Sequence, residues 1–212
     1  MSKFRVGAIV PVKTFSRAKT RLNLSEEKTE QICSIMLESV LSAISQSNVM
    51  EETVIVSKDE FALNMGKKFG AIQVYDQEEL GVNNAVMLGD RYFVKEDFDL
   101  TIVFPQDIPL IQPEDIRMLF EMKGSNRCVL VVPSRTFDGT NALLRMPVDV
   151  METHYDEDSY KIHLITAEKK NATSALILIP RIMLDVDDQA DLRLVLTRDL
   201  PVSKSLESVF KS

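Results

Sequence analysis

Short apolar runs rich in β-branched residues alternate along this chain with segments of helical periodicity. The clearest of these runs are 6–10 (VGAIV), 100–104 (LTIVF) and 128–132 (CVLVV). Continuous apolar runs of this length are typical of parallel strands that are covered on both faces. Strands that alternate with helices over most of a chain predict an α/β fold with three layers, αβα, around a mostly parallel sheet. No repeat or linker interrupts the pattern, so we expect one domain over residues 1–212.

The helical segments carry recognisable ends. Ser25, Asp59 and Asp188 each stand where a side chain can cap a helix, and Pro113 is favoured in a first turn. The tail from Pro201 is expected to be helical or partly disordered. Further strands are expected at 53–57, 71–75, 141–146 and 175–179, and helices at about 26–44, 59–69, 81–95, 113–124, 159–169 and 188–196.

The segment that follows the first strand is strongly basic. Its sequence is PVKTFSRAKTRL (residues 11–22), and its cations are Lys13, Arg17, Lys19 and Arg21. The first 25 residues hold six Lys and Arg and no Asp or Glu, whereas the rest of the chain holds 19 cations and 32 acids. Because ligands bind beyond the carboxyl ends of parallel strands, this loop indicates a small anionic ligand. The alternative is a loop whose charges are simply solvated.

Composition excludes several classes of protein. A net charge of −7 and a pI near 5.0 argue against binding to nucleic acid or to an anionic membrane, which need a broad cationic face. No apolar run approaches the length of a membrane-spanning helix, and the N-terminus lacks a signal-peptide pattern, so a cytoplasmic protein is expected. Cys33 and Cys128 lie in apolar segments without metal-type spacing, which favours two reduced core thiols.

Two acidic segments follow predicted strands. Asp107 comes directly after the 100–104 run, between two prolines, and Asp185 and Asp187 alternate in LDVDD (184–188). Carboxylates so placed could hold Mg²⁺, although Asp107 could instead cap a turn. The chain has seven glycines and neither a GxxxxGK[ST] nor a GxGxxG motif, so a triphosphate would have to be held by side chains and metal.

These segments together predict a transfer reaction between two anions. In that reaction Mg²⁺ would lie between a triphosphate and a second anionic substrate, while the basic loop neutralises the departing pyrophosphate. A substrate phosphate is already ionised at neutral pH, so no general base is required. Neither His154 nor His163 fits a familiar triad signature, and both are expected to be surface or partly buried hydrogen-bonding residues.

Four segments together resemble one known family. They are PVKTFSRAKTRL, FPQDIPLIQPEDI, DGTNALL and LDVDDQADL, in that order. The set is similar to the archaeal 2-phospho-L-lactate guanylyltransferases, the CofC family of the nucleotide-diphospho-sugar transferase superfamily. The resemblance implies a GT-A-like, Rossmann-like fold and a homodimer. It also implies transfer of GMP from GTP to 2-phospho-L-lactate, which forms lactyl-2-diphospho-5′-guanosine and pyrophosphate in coenzyme F-420 biosynthesis.

The resemblance also implies roles for the charged residues. Lys19 and Arg21 would hold the triphosphate, with Lys13 nearby and Arg17 as a further cation of the same loop. The metal pair would be Asp107 and Asp187, with Asp185 behind it.

Uncharged positions are implied to complete the site. The turn at Gly81 and Asn83 would meet the nucleoside, and Ser159 would receive the phospho-acid. A further three residues would line the site, namely Gly139, Thr140 and Asn141.

Three positions depart from the family pattern. Asp156 and Asp158 stand where glycines are usual, and Gln106 replaces the usual small residue before Asp107. Two added carboxylates near an incoming phosphate would disfavour it unless they point away or bind metal. The acceptor is therefore open between 2-phospho-L-lactate, phosphoenolpyruvate and another phospho-acid. Two further functions stay open, namely a sugar-phosphate or cofactor nucleotidyltransferase and a non-catalytic nucleotide-binding regulator.

Overall fold

Seven strands form one sheet in the computed structural model, which describes residues 4–124 and 126–211 without the side chain of Arg17. The strand order is β3-β2-β1-β4-β6-β5-β7, and β6 alone runs antiparallel to its neighbours. The predicted α/β class with a mostly parallel sheet is therefore confirmed. The strands are β1 (Val6–Val12), β2 (Glu52–Ser57), β3 (Ile72–Tyr75), β4 (Leu100–Val103), β5 (Cys128–Pro133), β6 (Thr140–Met146) and β7 (Thr173–Leu176).

Helices connect the strands and begin at the caps that the sequence indicates. Ser25, Asp59 and Asp188 each accept a hydrogen bond from a backbone N–H in the first turn of the helix that follows. The tail is helical rather than irregular. The helices are α1 (Glu26–Ser47), α2 (Glu60–Lys68), α3 (Val82–Lys95), α4 (Pro113–Glu121), α5 (Ser159–Lys169), α6 (Gln189–Leu196) and α7 (Pro201–Lys211).

The sheet has a buried core on each face, because its side chains alternate between the two helical layers. On β1, Ala8 and Val10 pack with α1 and α2, whereas Ile9 packs with α3 on the opposite face. The layer with α1 also contains α4, α6 and α7, and the layer with α3 contains α5. Both cysteines are buried and free, as expected. None of the helices described combines the length and apolar composition needed to cross a bilayer.

Two strands, β1 and β7, differ from the sequence prediction by more than one residue at an end. β1 continues through Pro11 and Val12, where its pairing with β4 has ended and only β2 remains as a neighbour. β7 begins at Thr173 and ends at Leu176, not at residues 175–179. Ile179 is buried although it lies outside the sheet. The predicted strand extended too far because an apolar sequence indicates burial and does not indicate backbone pairing.

The direction of β6 matters for what the sheet can present at its edge. A parallel strand offers its carboxyl end to the edge where ligands bind, whereas the antiparallel β6 offers its first residues there. Thr140 and Asn141 therefore lie at the same edge as the loops that follow β1 and β4.

Candidate active site

A cleft of about 730 Å³ opens at the carboxyl edge of the parallel strands. Its walls come from six parts of the chain that are distant in sequence. They are the loop after β1, the start of α3, the segment after β4, the start of β6, the residues before α5 and the segment after β7. Most of the residues that the sequence singles out line this cleft, namely Lys13, Lys19, Arg21, Gly81, Asp107, Gly139, Thr140, Asn141, Ser159, Asp185 and Asp187.

Lys19 lies at the charged centre of the cleft. Its ammonium donates to the carboxylates of Asp107 and Asp187, the latter at 2.7 Å. Burial alone would lower the pKa of Lys19, but the two carboxylates outweigh burial and hold that pKa above its ordinary value. The backbone of Lys19 adopts the left-handed conformation, with φ 54°, which L-residues adopt at a cost and which is often retained at functional sites.

The other cations of the basic loop whose side chains the structure describes are more exposed than Lys19. Arg21 donates to Asp187 at 2.6 Å, and its side chain is 69% exposed. Lys13 is exposed at the rim of the cleft. The side chain of Arg17 lies outside the part of the chain that the structure describes, so its predicted role stays a prediction.

Two of the acids predicted to hold metal, Asp185 and Asp187, have different surroundings. Asp187 is held by Lys19 and Arg21; burial would raise its pKa, but these two cations lower it below the ordinary value. Asp185 instead accepts from the Asn141 amide at 3.1 Å. Burial, followed by the repulsion from Asp107, raises the pKa of Asp185 to about 6. Asp185 therefore carries its charge less readily than Asp187 does.

The donor set at Lys19 fits the Mg²⁺ that the sequence implies. Asp107 and Asp187 both reach one cationic nitrogen, so their oxygens converge closely enough to share a small cation. Mg²⁺ prefers such hard oxygen ligands, and it is usually held by one or two carboxylates together with substrate phosphates. In the part of the chain described here, no three His, Cys, Asp or Glu side chains converge as a closed metal cage. These carboxylates therefore fit a metal ion that the protein and a phosphate group of the substrate would bind together.

Two hydroxyl groups, those of Thr140 and Ser159, line another part of the cleft, the hydroxyl-lined wall. Ser159 begins α5 and donates to the Thr140 hydroxyl at 3.0 Å, and Thr140 also contacts His163 Nδ1 at 3.0 Å. His163 is fully buried on α5, one turn beyond Ser159. Sequence reasoning did not place His163 in the site, although the spacing of Ser159 and His163 puts both on one face of a helix.

The two aspartates that replace glycines behave differently. Asp156 lines the cleft, whereas Asp158 forms an exposed ion pair with Lys161 at 2.9 Å. Asp158 has φ 55°, in the left-handed region that glycine adopts readily. The expected repulsion of an incoming phosphate therefore concerns Asp156 rather than Asp158.

Two predicted contacts involve the start of α3. Gly81 precedes this helix with φ 104° and lines the cleft. The Asn83 side chain instead accepts from the Tyr155 backbone N–H at 2.8 Å, which ties α3 to the loop before α5. Direct contact of Asn83 with a nucleoside stays a prediction.

The fold and the cleft define a class of protein. A crystal structure from Desulfovibrio desulfuricans G20, assigned to the nucleotide-diphospho-sugar transferases, superposes with a TM-score of 0.74 at 13% identity and covers 97% of this chain and 95% of that one. A nucleotidyl transferase from Methanothermobacter gives a TM-score of 0.64 at 13% identity, with 90% and 95% covered. The fold is that of the nucleotidyltransferases. Within that class, the chain belongs to the family described as "Guanylyl transferase CofC like", whose model matches residues 6–199.

Relatives in this family carry different acceptor names. A phosphoenolpyruvate guanylyltransferase from Conexibacter woesei is 31% identical over 188 residues, 87% of this chain and 84% of the relative. A 3-phospho-D-glycerate guanylyltransferase from Colwellia psychrerythraea is 28% identical over 211 residues, 98% and 99%. A 2-phospho-L-lactate guanylyltransferase from Methanobrevibacter smithii is 29% identical over 186 residues, 87% and 80%. The predicted family and enzyme class are confirmed, whereas neither one acceptor nor an archaeal source is singled out.

Proposed function

We propose that this protein transfers GMP from GTP to a small phosphorylated acid and releases pyrophosphate. The acceptor that we propose first is 2-phospho-L-lactate, which would give lactyl-2-diphospho-5′-guanosine for coenzyme F-420 biosynthesis. An oxygen of the acceptor phosphate would attack the α-phosphorus of GTP. The bond between that phosphorus and the oxygen bridging to the β-phosphate would break, and both of its electrons would leave with pyrophosphate.

One observation carries the proposal, namely that a cationic wall and a hydroxyl-lined wall share one cleft. The loop after β1 supplies the cations Lys13, Lys19 and Arg21, and the starts of β6 and α5 supply the hydroxyls of Thr140 and Ser159. The cations suit a triphosphate because Arg binds phosphate oxygens in pairs and Lys supplies a compact charge. The hydroxyls suit a smaller anion that must be oriented rather than neutralised.

The carboxylates between the two walls would hold the metal. Asp107 and Asp187 would bind Mg²⁺, with Asp185 behind them, and the bound ion would neutralise charge on the triphosphate. Lys19 would share these carboxylates with the metal. It would remain within reach of the phosphates as the departing pyrophosphate gains charge. The main contribution of Lys19 and the bound metal would be to stabilise that charge, because both are cations held in fixed positions.

An activity matrix tests the proposal. The protein is incubated with each of the four nucleoside triphosphates, Mg²⁺ and a panel of acceptors, and pyrophosphate release is measured. The panel contains 2-phospho-L-lactate, phosphoenolpyruvate, 3-phospho-D-glycerate and sugar phosphates. We expect turnover with GTP and a phospho-acid, and its loss when the divalent cation is chelated.

Three different results would point to a different function or acceptor. Turnover confined to a sugar phosphate would contradict the proposal and indicate a different nucleotidyltransferase. Nucleotide binding without turnover on any acceptor would indicate a non-catalytic regulator. Among the phospho-acids, the highest kcat/KM would name the acceptor and would replace 2-phospho-L-lactate if another acid gave it.

A further inference from the structure

A chain of three buried polar side chains, Ser159, Thr140 and His163, runs from the hydroxyl-lined wall of the cleft into the protein. His163 Nε2 accepts from the backbone N–H of His154 at 2.9 Å. Its other ring nitrogen, Nδ1, lies 3.0 Å from Thr140 Oγ1, which also accepts from Ser159 at 3.0 Å. His163 is 0% exposed, so it has no contact with solvent that could alter these bonds.

The backbone N–H of His154 fixes the tautomer of this imidazole. An amide N–H can only donate, so Nε2 must offer its lone pair and cannot carry the proton. A neutral ring then has its proton on Nδ1, and the bond to Thr140 runs from His163 to the hydroxyl oxygen. Burial, followed by the charges of Arg145 and His154, lowers the pKa of His163 to about 3, which agrees with a neutral ring at physiological pH.

The fixed tautomer determines what the Thr140 hydroxyl can do. A hydroxyl oxygen has two lone pairs and one proton, and here the two lone pairs receive His163 Nδ1–H and Ser159 Oγ–H. Thr140 lines the cleft, so its proton is directed by elimination toward a ligand there. A donor that is oriented in this way suits an anionic oxygen and not a hydroxyl donor.

We propose that His163 is a positioning residue that, without touching substrate, fixes Thr140 as a hydrogen-bond donor to the carboxylate or phosphate of the acceptor. This inference rests on the proposed function, because it assigns the hydroxyl wall to the phospho-acid. By holding His154, His163 also fixes the start of the loop that carries Asp156 into the cleft.

Two amide substitutions separate the two hydrogen bonds of the imidazole. In His163→Asn the amide group lies near the position of Nδ1 and can still donate to Thr140. In His163→Gln the longer side chain reaches the position of Nε2 and can accept from His154, but it leaves Thr140 without its donor. We expect His163→Gln to raise the acceptor KM on the order of tenfold, the effect of one hydrogen bond to a charged group, with the KM for GTP unchanged. We expect His163→Asn to keep the acceptor KM within about twofold of wild type.

Thr140→Val provides the matched control, since it removes the hydroxyl and keeps the shape. It should raise the acceptor KM as much as His163→Gln does, and the double variant should show no further increase. Equal effects of the two amide variants on the acceptor KM would overturn the proposal, as would a loss that falls on GTP. Circular dichroism melting of each variant shows that the variant is folded.

A second measurement does not depend on turnover. The chain has two histidines, so long-range ¹H–¹⁵N spectra of the wild-type protein can resolve each imidazole. We expect the Nδ1–H tautomer at His163, and the Nε2–H tautomer would overturn the inference. If the wild-type protein uses no phospho-acid, the proposed function is wrong. The tautomer of His163 still shows whether the Thr140 hydroxyl accepts from the imidazole or donates to it.

Discussion

Lys19 is the residue at which the charges of the cleft converge. Its ammonium is shared between Asp107 and Asp187, and its side chain is 9% exposed. A charged amine so deeply placed is stable only because both carboxylates surround it. In the proposed reaction, the same arrangement would keep a cation beside the phosphates of the nucleotide.

Replacement of Lys19 by methionine should therefore abolish most turnover. The variant keeps the length of the side chain but removes one fixed cation, which typically costs about 3 kcal/mol of transition-state stabilisation, or about a hundredfold in kcat. Initial rates at saturating GTP and acceptor measure the effect. Lys204→Met is the control, because Lys204 forms an exposed ion pair with Asp199. Rates for Lys19→Met within a few-fold of this control would show that Lys19 is dispensable.

Asp156 should affect the acceptor, while Asp158 should not. Asp156→Gly removes a negative charge from the wall of the cleft, so we expect the acceptor KM to fall about fivefold, equivalent to about 1 kcal/mol for a partly screened charge. Asp158→Gly is the matched variant, since its carboxylate is engaged with Lys161. Steady-state kinetics at fixed GTP give both values. A larger change in the acceptor KM for Asp158→Gly than for Asp156→Gly would show that Asp158, and not Asp156, lies beside the acceptor.

At the scale of secondary-structure elements, the sequence predicted most strands and helices and a mostly parallel sheet, but it did not predict that β6 runs antiparallel. The apolar runs of β1, β4 and β5 and the caps Ser25 and Asp59 are local signals, and local signals suffice to locate an element. The direction of β6 depends on which strands it pairs with, and nothing within residues 140–146 encodes that choice. The position of Thr140 at the edge of the sheet that carries the cleft could therefore be predicted only through the family resemblance.

The contact between α3 and β1 can be tested by a single methyl group. A Cβ at Gly7 would lie 2.5 Å from a ring carbon of Phe93. The Phe93 ring of α3 can therefore pack this closely against β1 only because residue 7 has no side chain. We expect Gly7→Ala to lower the free energy of unfolding by about 1–3 kcal/mol, the usual cost of overpacking a core. Urea unfolding measures this loss. Adding Phe93→Leu should recover part of it, and an unchanged midpoint for Gly7→Ala would contradict the close packing.

At the scale of the whole molecule, the site exists only because the sheet brings distant segments together. Asp107 and Asp187 were predicted as a metal pair, but their shared contact with Lys19 was not predicted. Asp107 lies 88 residues from Lys19 along the chain, and Asp187 lies 168 residues from it. Sequence patterns report charge and periodicity, whereas such pairings depend on strand order. The same limit explains why His163 was missed, because its two partners come from β6 and from the loop before α5.

The buried imidazole of His163 should also appear in the pH dependence of global stability. Its pKa is lowered to about 3 in the folded protein, against about 6.5 in an unfolded chain. Between these values the unfolded state binds one more proton, so this residue's contribution is complete above pH 6.5 and is lost as pH falls toward 3. The slope is at most about 1.4 kcal/mol per pH unit.

Comparison with His163→Asn isolates this contribution from that of the carboxylates. Urea unfolding at pH 7, 6 and 5 should show wild type losing about 1 kcal/mol more per pH unit than the variant below pH 6. His154→Asn keeps the buried imidazole of His163 and the backbone N–H that it accepts from, so most of the wild-type slope should remain. Parallel pH profiles for wild type and His163→Asn would mean that the imidazole takes up its proton in the folded protein as easily as in the unfolded chain, and that its burial among Thr140, Ser159 and His154 does not keep it neutral.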